Sequence, residues 1–228
     1  MTRIQGKMSV PKTKRQEIQI YERKLYLDTV ANIDELFEEL LQKGPDHEDV
    51  KDERIPYWAE LWPSAVALAK YIEEANLIVK GTRVLELGCG LGLPGILAGQ
   101  LGAKVILSDY IREALDLAGH NWKLNNSDSV ELLLMDWRHP DPNLDVDLIL
   151  ASDIAYEKKS FHDLIHAFKF LLRRGGKMII SEPNRHFAQS FFEGLHTDGF
   201  SIISMREDLE FREHKYSIHI HELKLDQE

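Results

Sequence analysis

Hydrophobic residues in most of the chain form short runs that alternate with segments of helical period. The runs rich in Val, Ile and Leu predict buried strands over 82–87, 104–109, 130–135, 146–152 and 178–181. Between these runs, apolar residues recur every three or four positions, which predicts helices over 63–74, 93–101, 111–122, 161–172 and 187–195. Strands that alternate with helices form a parallel sheet covered on both faces. This part of the chain is therefore predicted to be an α/β domain.

Two further strand candidates, 200–204 and 216–223, lie near the end of the chain with only a charged loop between them. Because no helix separates them, we expect them to pair antiparallel at one edge of the sheet. The predicted fold class is α/β, a doubly wound and mostly parallel seven-stranded sheet with an antiparallel edge pair. His219 and His221, with His214, are interpreted as side chains of a solvated edge strand and not as a ligand cluster.

The N-terminal residues follow a different pattern. Residues 1–16 are basic and poor in apolar side chains, and are predicted to be a mobile arm. Alternating apolar residues over 17–28 predict a small hairpin. Apolar residues at helical spacing over 33–41 predict a helix, with Asn32 as its N-cap and Glu35 as the capping partner.

A charged loop is expected over 46–54, after which the alternating pattern begins. The predicted organisation is an N-terminal arm, hairpin and helix, residues 1–54, packed on a single domain formed by residues 55–228.

Composition narrows the possible functions and locations. The formal net charge of −10 weighs against nucleic acid as a partner, because phosphate binding needs a cationic surface. No apolar run is long enough for a membrane span, and the N-terminus lacks the apolar region of a secretory signal, so no membrane association is expected. Cys89 is the single cysteine and has no internal disulfide partner, which favours a cytoplasmic location.

A glycine loop follows the first strand of the alternating region, where the chain enters a helix. Gly88, Gly90 and Gly92 allow a sharp turn and a close approach of a ligand to the backbone. The third glycine of a dinucleotide-binding loop is replaced by Leu93. Glu86 would repel a pyrophosphate but can accept a hydrogen bond from a ligand ammonium group. This chemistry favours S-adenosylmethionine over NAD as the cofactor.

Acidic residues also follow the next two strands. Asp109 is placed to accept hydrogen bonds from both ribose hydroxyls of a nucleoside, although it can also be read as the N-cap of the next helix. Asp136 can accept from an adenine amino group, and Trp137 offers a face for stacking. An ordinary loop is the alternative explanation for Asp136 and Trp137.

These residues together resemble the class I, seven-stranded methyltransferases. The similarity rests on the run 86–92, on Asp109, on the pair at 136–137 and on the strand end Ala-Ser-Asp-Ile-Ala-Tyr-Glu over 151–157. The tryptophan-containing segment 56–64 and the acidic-x-x-aromatic element narrow the resemblance to family 16, which includes protein-lysine methyltransferases. The resemblance covers roughly residues 55–224.

The resemblance implies a role for each matching residue. Trp62 would pack beside S-adenosylmethionine, and Ser152 would border its sulfonium together with Asp153. Those expected to contact the methionine, ribose and adenine parts of the cofactor are Glu86, Gly88, Gly90, Asp109, Tyr110, Asp136 and Trp137. Asp153 and Tyr156 would lie at the acceptor pocket as the catalytic pair. Structural alternatives are an aromatic staple for Trp58 and Trp62, and packing on the sheet edge for Tyr156.

The resemblance therefore implies an N-methyltransferase whose acceptor is a protein lysine side chain. The transfer is an in-line displacement that needs alignment of the reactants and no metal. Desolvation by Trp58, Trp62 and Tyr156 would lower the pKa of a lysine amine, and Asp153 would orient it. Two alternatives remain, a methyltransferase acting on a small pyridine or amine, and a cofactor-binding interaction module without turnover.

Overall fold

The computed structural model describes residues 12–173 and 175–226. Nine strands are present in this part of the chain: β1 (Thr13–Ile20), β2 (Arg23–Val30), β3 (Arg83–Leu87), β4 (Lys104–Asp109), β5 (Glu131–Leu134), β6 (Leu148–Ser152), β7 (Lys177–Glu182), β8 (Phe200–Phe211) and β9 (His214–Leu225). The α-helices are α1 (Ile33–Gln42), α2 (Glu48–Lys51), α3 (Pro63–Glu74), α4 (Leu93–Gln100), α5 (Arg112–Asn125), α6 (Phe161–Leu172) and α7 (Ala188–Thr197).

Seven strands form the central sheet in the order β5-β4-β3-β6-β7-β9-β8. The first five in this order are parallel, whereas β9 pairs antiparallel with both β7 and β8. The predicted doubly wound sheet with an antiparallel edge pair is therefore confirmed. The strand order reverses between β3 and β6, and ligands of such sheets bind where the strands end at this point.

Each face of the sheet is covered by its own helices. Val84 and Leu150 face a buried cluster that includes residues of α3, α4 and α5. Leu85 and Ile149 face a second cluster with residues of α6 and α7. The near-continuous apolar sequences of the central strands are explained by this burial on both sides.

The last two strands are longer than predicted. Each has twelve residues, and only Arg212 and Glu213 lie between them, both with positive φ, as in a tight hairpin turn. The charged segment that we expected to be a loop therefore belongs to the strands. Most of its polar residues belong to β8, which is the edge strand and leaves one row of its backbone groups for solvent. The interpretation of His219 and His221 as edge-strand residues is wrong, because β9 lies between two other strands.

The N-terminal hairpin is present as predicted, but it begins earlier. Lys14 and Arg15 lie in β1, so the mobile arm predicted for residues 1–16 is wrong for these positions; residues 1–11 of that arm lie outside the described part. Asn121 and Asn125, one turn apart on α5, exchange hydrogen bonds of 2.7–3.1 Å with the backbone of β2. The hairpin is thus attached to the domain through its own backbone.

The segment between the hairpin and the central sheet contains both expected and unexpected elements. Asn32 caps α1 by accepting from the Asp34 amide at 3.2 Å, and its amide nitrogen donates to Glu35 at 3.0 Å, as predicted. The charged loop predicted over 46–54 instead contains the single helical turn α2. In the described residues, no helix is both long and apolar enough to cross a membrane. The boundary that divides residues 1–54 from 55–228 stays a prediction.

Candidate functional site

The glycine loop joins β3 to α4 at the carboxyl edge of the sheet. Gly88, Gly90 and Gly92 have φ values of 64°, 49° and 80°, which favour glycine strongly. A Cβ at Gly88 would lie 3.0 Å from Cγ2 of Ile154, in the loop after β6. A side chain at position 88 would therefore crowd that loop. The sequence therefore places its glycines where the backbone is left-handed and closely approached.

Asp109 ends β4 and its carboxylate faces the glycine loop. One oxygen accepts from the Gly90 amide and the other from the Ile111 amide, both at 3.0 Å. The residue is only 7% exposed, and its burial raises the pKa to about 6 even though the backbone amides oppose this shift. The Ile111 bond resembles the helix cap that we considered as an alternative, but the Gly90 bond ties the carboxylate to the loop. Each oxygen retains a further lone pair for a ligand.

Glu86 lies deeper than Asp109. One carboxylate oxygen accepts from the Gly95 amide at 2.8 Å, and the other is buried without a hydrogen-bond partner. Burial raises the pKa of this carboxyl to about 8, and the charge of Asp109 adds to the effect. Glu86 is therefore neutral near pH 7 in this arrangement. Its hydrogen bond with the Gly95 amide connects β3 to the first turn of α4.

A cavity of about 710 Å³, a volume that includes space open to solvent, surrounds the glycine loop. Of the eleven residues predicted to bind the cofactor or to be catalytic, eight line it: Trp62, Gly88, Gly90, Asp109, Tyr110, Trp137, Ser152 and Tyr156. Glu86, Asp136 and Asp153 are not among its lining residues. The cavity is thus formed by loops that follow β3, β4, β5 and β6, together with the segment before α3.

The cavity also has an aromatic rim. The ring of Tyr57 makes edge contacts with those of Trp62 and Tyr156, at centroid distances of 5.9 and 5.6 Å. The indole nitrogen of Trp62 donates to the Tyr57 carbonyl at 2.8 Å, which fixes the segment before α3. Tyr57 and Trp62 are each 38% exposed. The role of Tyr57 was missed from the sequence, although it lies inside the 56–64 segment that marked the family.

The two tryptophans of this segment do not share a helix face. Trp58 lies in the 3-10 turn Pro56–Ala59, whereas Trp62 precedes the first residue of α3. The backbone of Trp58 runs close to the glycine loop, since a Cβ at Gly90 would lie 3.4 Å from its carbonyl oxygen. The segment therefore covers the loop mainly through its main chain.

Asp136 points away from the cavity towards Arg138. The guanidinium Nε of Arg138 donates to both carboxylate oxygens, at 3.0 and 2.8 Å. Partial burial alone would raise the pKa of Asp136, but Arg138 outweighs it and the pKa is lowered. Trp137 remains at the cavity, where its ring lies 6.0 Å from that of Tyr110.

Asp153 follows β6 with a φ of 53°, in a left-handed conformation that aspartate adopts more readily than most residues. Its amide donates to the Ser181 carbonyl of β7 at 2.8 Å. Its carboxylate is held in a two-pronged ion pair by Arg185, with one contact of 3.0 Å between Nη2 and Oδ2. Arg185 was not predicted, since no motif or spacing marks it in the sequence.

Comparison with known proteins identifies the family. A family model described as "Lysine methyltransferase" matches residues 50–198, which is more than half of the chain. The chain belongs to this lysine methyltransferase family. The predicted resemblance to family 16, and through it to S-adenosylmethionine-dependent methyltransferases, is therefore confirmed.

Individual members of the family differ in their acceptors. Histone-arginine methyltransferase METTL23 of Xenopus laevis is 40% identical over 124 residues, 52% of this chain and 53% of that protein. Protein N-lysine methyltransferase METTL21A of Danio rerio is 31% identical over 173 residues, 72% of this chain and 78% of that protein. The chain thus spans about half the length of the METTL23 relative.

A solved structure supports the fold. Magnesium protoporphyrin IX methyltransferase from Synechocystis, with bound S-adenosylmethionine, has a TM-score of 0.54 and 18% identity. The alignment covers 86% of this chain and 92% of that one. At this identity the match shows that the two chains share a fold.

Proposed function

We propose that this chain is an S-adenosylmethionine-dependent N-methyltransferase that acts on lysine side chains of proteins. One observation carries the proposal. A cavity of about 710 Å³ joins the glycine loop and the Asp109 carboxylate to an exposed aromatic rim at the carboxyl edge of the sheet. A cofactor and an acceptor can therefore meet end to end in one space.

The residues present fit the cofactor. The free lone pairs of Asp109 suit two ribose hydroxyls. The rings of Trp137 and Tyr110, tilted by 43° to each other, offer apolar faces for adenine. The left-handed glycines leave the backbone open to the methionine part, and Ser152, the last residue of β6, also lines the cavity. When bound, S-adenosylmethionine supplies an electrophilic methyl group on a positively charged sulfur.

The acceptor side must deliver a nitrogen lone pair to that methyl group. Tyr57, Trp62 and Tyr156 form an apolar channel that removes water from a lysine ammonium and so lowers its pKa. The ammonium would first give one proton to water, and the resulting amine would then attack the methyl carbon in line with the carbon–sulfur bond, which breaks as the new nitrogen–carbon bond forms. The Asp153 carboxylate does not line the cavity while Arg185 holds it, and it is proposed to turn towards the amine and orient it once Arg185 has released the carboxylate.

A protein acceptor fits the rim better than a small molecule does. Tyr57 and Trp62 are exposed at the entrance, and the N-terminal hairpin packs on α3 and α5. An enclosed small substrate would favour a covered pocket, which is the arrangement expected for the alternative pyridine or amine methyltransferases. The exposed rim therefore supports the insertion of one side chain from a larger partner.

Arginine is a second candidate acceptor, for one specific reason. The Asp153 carboxylate already holds a guanidinium, that of Arg185, in the fork geometry that arginine and carboxylate prefer. The METTL23 relative is named as a histone-arginine methyltransferase. A substrate arginine can replace Arg185 on Asp153 without any change in the type of hydrogen bonding.

The proposed location is the cytoplasm. Cys89 is buried in the glycine loop, where burial raises the pKa of its thiol well above the usual range and keeps it unreactive. A fold whose one cysteine is a buried thiol suits a reducing compartment.

The experiment that tests the function uses S-adenosylmethionine with a radiolabelled methyl group. Purified protein is incubated with an extract of its own cells, which is then separated into proteins and small molecules. We expect label in protein, and methyl-lysine after acid hydrolysis; methylarginine would select the second candidate. The matched control is Asp109→Ala, which should lose the labelling. Label in small molecules alone would contradict the protein acceptor.

A further inference from the structure

A second cluster of polar side chains lies between β7 and β9, outside the cavity described above. Glu182 ends β7 and is directly opposite His219 in the antiparallel ladder. His221 follows two residues later on β9. Because directly paired residues and residues two apart share one face of a sheet, all three side chains point to the same side.

The ligand atoms of this cluster lie close together, and one pair has the separation of two zinc ligands. One nitrogen or oxygen from each of Glu182, His219 and His221 lies within 4.8 Å of the others. Nε2 of His221 is 3.6 Å from Oε1 of Glu182, which is too long for a hydrogen bond. Two ligands at about 2.0–2.2 Å from a tetrahedral zinc ion are separated by about 3.3–3.6 Å. The observed spacing thus suits a shared ion better than a direct contact.

His221 gives independent support, because it is buried with one ring nitrogen unsatisfied. The residue is 5% exposed, and its Nε2 has no hydrogen-bond partner among the described residues. Buried polar atoms normally have a partner, and an ion is one explanation for a missing one. The lone pair of Nε2 faces Glu182 if the ring proton is on Nδ1.

The surroundings of His221 favour that tautomer and fix the ring. Nδ1 lies 2.7 Å from the hydroxyl oxygen of Ser204 on β8, to which a ring N–H can donate. The ring also stacks on Phe192 at a centroid distance of 3.9 Å. The second oxygen of Glu182 accepts from the Arg185 amide at 3.1 Å, so the carboxylate is oriented as well. Oriented ligands of this kind surround the metal in most histidine-containing sites.

We propose that Glu182, His219 and His221 bind one divalent transition-metal ion of the zinc type. Two imidazoles and a carboxylate are ligands for zinc and similar ions, whereas magnesium and calcium prefer oxygen alone. The partial exposure of His219 leaves space for water as a further ligand. The site does not depend on the proposed methyl transfer and uses none of the cavity residues.

The test is calorimetry on tag-free protein that has been treated with a chelator and dialysed. We expect one zinc ion per chain, and no comparable heat with magnesium or calcium. His219→Ala and Glu182→Gln should weaken zinc binding at least about tenfold, and Ser204→Ala should weaken it by about tenfold through the ring of His221. His219 is the main variant because it is only half-buried and its replacement leaves the core intact.

His214→Ala is the matched control, since His214 begins the same strand but is exposed and bonds its Nδ1 to the Arg212 carbonyl. Its zinc affinity should stay within about twofold of the parent. Absence of binding, or an equal loss in His214→Ala and His219→Ala, would overturn the proposal. Cobalt gives a second readout: a tetrahedral site should produce an intense visible absorption that His219→Ala removes.

Discussion

The carboxylates on the two sides of the cavity are bound by different kinds of hydrogen-bond donor. On the side of β3 and β4, Asp109 accepts from the backbone amides of Gly90 and Ile111, and Glu86 accepts from that of Gly95. Of these carboxylates, only that of Asp109 lines the cavity. On the side of β6 and β7, Asp153 is bound by the side chain of Arg185. Backbone donors are fixed by the fold, whereas a long side chain can rotate away. The first side is therefore organised before any ligand arrives, whereas the second side contains the contact that the proposed acceptor would have to replace.

The largest effect should come from the side of β3 and β4. Asp109→Ala removes two proposed bonds to the ribose, each worth about 1.5 kcal/mol because the acceptor is charged, so S-adenosylmethionine affinity should fall about 100-fold. Calorimetry with the cofactor measures this. Asp136→Ala is the control, since that carboxylate pairs with Arg138, and it should change affinity less than about threefold. Equal losses in both variants would remove the special role of Asp109.

Removing the charge of Glu86 should stabilise the fold at high pH. The pKa of Glu86 is raised from 4.5 to about 8. Its contribution to the free energy of unfolding is therefore fully present below pH 4.5 and is lost as the pH rises through 8. Glu86→Gln should therefore be about 2 kcal/mol more stable than the parent at pH 9, and the difference should disappear near pH 4. Denaturant unfolding at both values tests it. If the parent were more stable than Glu86→Gln at pH 9, the ionised carboxylate of Glu86 would have to be stabilised by hydrogen bonds in the folded state, which would contradict the prediction.

On the side of β6 and β7, Asp153→Ala should lower turnover while leaving cofactor affinity nearly unchanged. We expect kcat to fall by about 30-fold because the acceptor nitrogen loses its orienting group. S-adenosylmethionine affinity should remain within about threefold, since Asp153 does not line the cavity. Asp153→Asn is the control that keeps the shape. An unchanged kcat in the alanine variant would exclude Asp153 from the reaction.

The pH dependence of cofactor binding should reflect Asp109 alone. Burial raises its pKa to about 6, and the protonated form can no longer accept from both ribose hydroxyls. Affinity should be constant above pH 7 and fall up to about tenfold per pH unit below 6. Titrations at pH 5, 6 and 8 measure the slope. Persistence of the slope in Asp109→Asn would assign it to another group.

The smallest effect is expected from Arg185. Arg185→Ala frees Asp153, so the KM for a protein acceptor should fall about threefold to fivefold, because the acceptor no longer competes with a guanidinium. The KM for S-adenosylmethionine should not change. Arg185→Lys keeps the charge without the fork and should give an intermediate KM. A higher acceptor KM in Arg185→Ala would mean that Arg185 helps to bind the acceptor.

The contrast between the two sides also explains what the sequence could predict. Gly88, Gly90 and Asp109 lie within a short stretch of chain where strand, loop and helix follow one another, so their positions can be inferred from local rules. Arg185 reaches Asp153 across 32 residues, and no local pattern records that contact. Asp136 was predicted at the cavity, but the neighbouring Arg138 turns its carboxylate elsewhere.

The same limit applies to the sheet. Its strands and its antiparallel edge were predicted from alternation and apolar runs, because both are local. The position of β9 between β7 and β8 depends on pairing between distant segments. For this reason His221 was taken for a solvated residue, although β8 covers the edge of its strand and Phe192 covers its ring.

The left-handed backbone at Asp153 and the ion pair with Arg185 are energetically linked. A residue with a Cβ in this conformation costs about 1 kcal/mol relative to glycine, and the bound Arg185 compensates for that cost. Replacement by glycine would leave a partly buried guanidinium without its carboxylate, which costs more than the backbone regains. Laboratory evolution that selects only for heat tolerance is therefore expected to retain Asp153 and Arg185 together, and to lose either one only after the other has changed.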